Sequence, residues 1–97
     1  MELVKMTVSA FVDETASDSP APGGGSVSAL AGSLASALGQ MVIRLTTGKK
    51  AFASLDEKTQ EKFKAQLPKL EKAQKRLVEI IDEDTQAFNA FMEALKL

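Results

Sequence analysis

From Ser19 to Ile43 the chain carries no formal charge for twenty-five residues, and this stretch restricts its possible folds more than any other feature. By length alone it could cross a membrane, which takes about 20 apolar residues. Its composition argues against that: from Ser26 to Ile43 there are four Ser, two Gly, four Ala and one Gln, leaving seven large apolar side chains among 18 residues. Small residues recur on nearly every side, with Ser28, Gly32 and Ser36 at one four-residue spacing and Ala29, Ser33 and Ala37 at another. Such a helix allows close approach and is normally surrounded by other helices. The sequence therefore predicts a central buried helix, N-capped by Ser26 and running to about Leu45. The 97 residues supply only two or three more helices to cover it, so the missing neighbours are expected from another chain or from sequence beyond these residues.

The flanking segments are also helical in pattern. Leu3, Met6, Ala10 and Phe11 predict an amphipathic helix over about residues 2–16. The run Ser17 to Gly25, with two prolines and three glycines, ends it. After a break at Thr46-Thr47-Gly48, a long helical stretch is expected to start near Ser54 or Asp56. From Phe63, positions 63, 67, 70, 74, 77, 81, 84, 88, 91 and 95 alternate steps of three and four and form an apolar seam interrupted only by Gln74 and Asp84. Pro68 should kink or split this helix. The expected fold is all-α: one domain over residues 1–97, a bundle of three to four helices with a central small-residue helix and a long C-terminal one, completed by oligomerisation.

Composition narrows the chemistry. With no cysteine and no histidine, thiolate metal sites, disulfides and imidazole bases are unavailable, and no metal site or prosthetic group is expected. A net charge of −1 without Trp or Tyr does not suit a nucleic-acid binder. The start, Met-Glu-Leu-Val-Lys, lacks a secretory pattern, so a cytoplasmic protein without membrane contact is expected. Acid–base work falls to Asp, Glu, Lys or a group of the substrate, and Asp84 stands out because it breaks an apolar seam. A charge there is costly unless paired or solvated in a cleft, and desolvation moves a carboxyl toward the range useful in proton transfer. A register-setting ion pair with a lysine would explain it equally well. Asp82 and Glu83 point well away from the seam and are expected to be solvated, although Asp82 could line the edge of a cleft. Gly23, Gly24, Gly25 and Ser26 offer free N–H groups at a helix start, suited to an anion or simply to a tight turn. Lys49 and Lys50 could bind an anionic tail or merely be solvated. Lys69, Lys72, Lys75 and Arg76 predict a solvated face paired with Glu71 and Glu79.

Taken together, the run from Ser19 to Gly32, Leu45-Thr-Thr-Gly-Lys-Lys50 and Ile81-Asp-Glu-Asp-Thr-Gln-Ala-Phe88 resemble the formiminotetrahydrofolate cyclodeaminase/methenyltetrahydrofolate cyclohydrolase family. The chain looks like the N-terminal half of a domain about twice its length. The resemblance implies a dimeric, all-helical enzyme with a folate cleft near the subunit contact. It closes 5-formiminotetrahydrofolate to 5,10-methenyltetrahydrofolate with loss of ammonia, or interconverts the methenyl form and 10-formyltetrahydrofolate; a non-catalytic association module is the alternative. It further implies Asp84 as the catalytic acid–base residue, with Gly23, Gly24, Gly25, Ser26, Lys49, Lys50 and Asp82 at the substrate, a tetrahydrofolate derivative. Gln86 stands where the family often has Glu.

Overall fold

The computed structural model describes residues 2–96. A 3₁₀ turn at Leu3–Lys5 precedes α1 (Val8–Ala16), α2 (Gly24–Thr47), α3 (Lys50–Ala53), α4 (Glu57–Lys64) and α5 (Gln66–Leu95). There is no strand among the described residues, and the all-α expectation holds.

Helices α2 and α5 lie antiparallel and form the body of the molecule. Their register is set by glycines seven residues apart. A Cβ on Gly39 would lie 3.0 Å from Leu70 Cδ1, and one on Gly32 would lie 3.1 Å from Leu77 Cδ1. Each leucine thus presses into the gap left by a glycine, and the axes approach closely. One heptad further on, Gly25 faces Asp84 instead of a leucine. The seam from Phe63 to Asp84 is buried or half-buried along this contact. Its polar interruption at Gln74 is matched across the interface, where Gln40 Nε2 donates to Gln74 Oε1 at 2.6 Å.

Beyond Asp84 the seam runs past the start of α2, which lies opposite that residue. Phe88, Phe91 and Leu95 are exposed. The small-residue helix is covered on one face only. Ser26, Ala29, Ser33, Ser36, Gln40 and Ile43 are buried, while Leu34, Leu38, Met41, Val42 and Leu45 form an exposed stripe opposite them. By length and composition α2 is the one helix among the described residues that could cross a membrane, although four of its six buried positions are polar.

Two boundaries differ from the sequence expectation, and a third, the division of the long helix at Pro68, falls as expected. The first helix is divided, because Thr7 caps α1 by accepting from Ala10 N–H at 3.1 Å, and the turn before it is held by Asp82 on α5. Leu3 and Phe11 are nonetheless buried, and Met6 packs on the same cluster. Ser26 does not cap α2: Gly23 occupies that position, and Ser26 turns inward within the first turn. Pro68 splits the long helix at Ala65 and sits in the first turn of α5, where its missing N–H breaks no intrahelical bond. On the solvated face Arg76 pairs with Glu79 and Glu83, while Glu71 pairs across the interface with Arg44 at 3.5 Å.

Asp56 caps α4, accepting from Thr59 N–H at 3.2 Å and from the Thr59 hydroxyl at 2.6 Å. These bonds, the hydroxyl first, hold its carboxyl below the usual range. A depressed folded pKa gives stability that is present above the unfolded value of about 3.9 and lost as pH falls through the folded value. Amide protection factors at Thr59 and Gln60 are therefore expected to drop, relative to those of α2, as pH falls below about 4. Asp56→Ala should remove that pH dependence.

Candidate functional site

Where α2 begins, its first N–H groups have no intrahelical acceptor and the helix presents its positive end. The backbone that presents them is Gly23, Gly24 and Gly25, and Asp84 stands across from it on α5. Together with Pro20, Ala21, Thr85 and Phe88 they enclose a cavity of about 220 Å³. At Gly25 any Cβ would fall within the Asp84 carboxylate. At Gly24, by contrast, a Cβ would meet nothing within 4 Å.

Asp84 is half-buried. Among the described residues it receives no hydrogen bond and pairs with no cation. The other polar interruption of the seam, Gln74, has a partner in Gln40; Asp84 has only the cavity. Among the described residues no lysine pairs with it to make a register-setting ion pair. The site thus sets helix-end donors opposite a carboxylate that has no hydrogen-bond or ion-pair partner among the described residues.

Ser26 and Asp82 are used in the support of this arrangement. Ser26 is fully buried; its hydroxyl donates to Ile81 O at 2.6 Å and lies 3.1 Å from Thr85 Oγ1, so it sits behind the cavity and ties the start of α2 to α5. Asp82 accepts from Leu3 N–H at 2.7 Å and Val4 N–H at 3.3 Å, holding the N-terminal turn beside a larger cavity of about 520 Å³. Sequence reasoning did not single out Thr85, which lines both cavities; as the neighbour of Asp84 on the helix it gave no signal of its own.

Lys49 and Lys50 are not brought to the site. They are exposed at the far end of α2, whose 24 residues span about 36 Å at the usual rise. Within one copy the length of α2 separates them from the cavity between Gly23 and Asp84. Among the described residues no group of three His, Cys, Asp or Glu side chains converges as a metal site.

The fold and site define an all-helical protein whose candidate acid–base residue replaces a leucine in an interhelical seam. The chain belongs to the formiminotransferase-cyclodeaminase family, which matches residues 7–97. It is 43% identical over 95 residues to a formimidoyltransferase-cyclodeaminase of Gallus gallus, covering 98% of this chain and 17% of that protein. It is 37% identical over 91 residues to a methenyltetrahydrofolate cyclohydrolase of Methylorubrum extorquens, covering 94% of this chain and 42% of that protein. A formimidoyltransferase-cyclodeaminase of Dictyostelium discoideum is 44% identical over 93 residues, with 96% and 17% covered. The chain therefore spans less than half the length of these curated relatives. No solved structure matches it.

Proposed function

We propose that this chain contributes a catalytic site to a cytoplasmic enzyme of folate one-carbon metabolism, a cyclodeaminase or a cyclohydrolase acting on a tetrahydrofolate derivative. The observation that carries this is Asp84, a carboxylate in a leucine's place with no partner among the described residues, facing the glycine start of α2 across a cavity. In the cyclodeaminase direction N10 attacks the formimino carbon, Asp84 takes the N10 proton, and the same carboxyl returns a proton to the nitrogen that leaves as ammonia. In the cyclohydrolase direction water is the nucleophile: it adds to the methenyl carbon, gives a proton to Asp84, and the C–N5 bond breaks as the same carboxyl returns a proton to N5. One carboxyl can serve both proton transfers. Absorbance of methenyltetrahydrofolate distinguishes the two: formation from the formimino substrate with ammonia release marks the first, and hydrolysis to the formyl form marks the second. Failure of an active-length preparation to do either, or to bind the methenyl compound, would overturn the proposal.

A homodimer or higher homo-oligomer built on α2 belongs to the same proposal. The stripe Leu34, Leu38, Met41, Val42 and Leu45 is exposed, and the radius of gyration is 18.4 Å where a compact chain of 100 residues has about 13 Å. Sedimentation at low micromolar concentration is expected to show at least a dimer, with Leu38→Glu shifting it toward monomer and lower helicity. A compact monomer that unfolds cooperatively would refute this. The same stripe supports the second reading, a non-catalytic association module, which predicts intact dimers that bind no folate.

A further inference from the structure

The hydroxyl pair behind the cavity has a fixed polarity. Ser26 has one hydroxyl proton, and it goes to Ile81 O at 2.6 Å. In the 3.1 Å contact between the two hydroxyls Thr85 must therefore be the donor. With its own proton so committed, Thr85 Oγ1 offers only lone pairs to the space around it. That space is the junction of two cavities, because Thr85 and Ala21 line both the one at Asp84 and the larger one beside it.

The larger cavity is rich in acceptors. The Asp82 carboxylate in its wall is already held by Leu3 and Val4 N–H. Glu14, half-buried on α1, also lines it, and among the described residues its carboxylate has no hydrogen bond or ion pair. Gln86 and Asn89 complete the polar wall. Its volume, about 520 Å³, falls within the range of small-molecule sites. Such a wall fits a flat group with several N–H donors on adjacent edges. On the folate reading, on which this inference rests, the reduced pteridine ring is that group: it carries an amino group beside a ring N–H on one edge and a further N–H on its reduced ring.

We propose that the larger cavity holds the pteridine ring of the substrate, with the Glu14 carboxylate accepting the amino and adjacent ring N–H in two parallel hydrogen bonds. Thr85 Oγ1 accepts an N–H of the reduced ring at the junction, and the arm bearing the one-carbon unit then reaches Asp84 in the smaller cavity. Two parallel bonds to a carboxylate give orientation as well as affinity, so Glu14 would set which face of the ring meets Asp84.

The test uses the ring without its tail. 6-Methyltetrahydropterin is titrated by anaerobic calorimetry into the full chain and into Glu14→Gln, Thr85→Val and Thr85→Ser, with circular dichroism checking that each variant keeps its helices. The ring is expected to bind, in competition with 5,10-methenyltetrahydrofolate, and Glu14→Gln to weaken it about tenfold or more, the scale of a lost charge-assisted pair. Thr85→Val should weaken it and Thr85→Ser should restore it. No binding of the ring, equal affinity in Glu14→Gln, or a serine variant as weak as the valine one would overturn the inference. Glu14-dependent binding of the ring with no binding of the methenyl compound would uphold the ring site and overturn the folate reading instead.

Discussion

Asp84→Asn is expected to lower turnover in the active protein on the order of a hundredfold or more, the usual scale of general acid–base help. The amide keeps the shape of the carboxylate and loses its proton chemistry. Stability is expected to be unchanged or slightly higher, because no cation or N–H among the described residues is left unpaired by the change and a half-buried charge is removed. An Asp84 held in an ion pair by a second copy predicts the opposite, since breaking a buried pair costs several kcal/mol, about 3–5. Denaturation and the methenyltetrahydrofolate assay on the same two proteins separate the possibilities. Unchanged turnover per folded molecule, with lower stability, would remove Asp84 from the chemistry.

Gly25→Ala is expected to have an effect nearly as large without touching a reactive group. The new Cβ falls within the Asp84 carboxylate, so that side chain must rotate out of its place over the helix start. A displacement of about 1 Å at a reacting group can cost about a hundredfold. The backbone should tolerate the change, because alanine favours a helix over glycine by up to about 1 kcal/mol. Gly32→Ala is the control: it crowds Leu77 at 3.1 Å, disturbs packing in the same heptad register, and leaves the cavity alone. Equal turnover in the Gly25 and Gly32 variants would mean that the contact at Gly25 is packing and nothing more. Gly24→Val differs again, since it points into open space and should block a ligand while Asp84 stays where it is.

Much of this was legible in the sequence because it is local or periodic. The three–four alternation from Phe63 identified the face of α5 that meets α2, and Asp84 was conspicuous because it interrupts that face. Asp56 and Pro68 marked the start and the division of the last helices through rules that involve only a few neighbouring residues. What escaped was long-range. The four-residue spacing of small residues in α2 drew attention away from Gly25, Gly32 and Gly39, seven apart, whose meaning depends on the matching heptad in α5. Ser26 looked like a cap because its partner, Ile81 O, lies 55 residues away. The division of the first helix depends in part on Asp82, 79 residues from Leu3. The lysine pair seemed near the glycine run only through family resemblance; the straight length of α2 separates them.

The matched heptads also limit how the two helices can change length over evolutionary time. A single-residue insertion in α2 between Gly25 and Gly39 would rotate everything beyond it by about 100° and take the following glycine away from its leucine. Compensation would require an equal insertion in α5 at the corresponding level. Seven residues inserted in both helices together would restore the pattern, since seven residues make nearly two full turns. Surface loops in general tolerate changes in length, whereas this helix pair is expected to gain or lose residues only in paired blocks of seven. The distance from Asp84 to the far end of α2 should therefore be quantised among relatives in steps of about 10.5 Å.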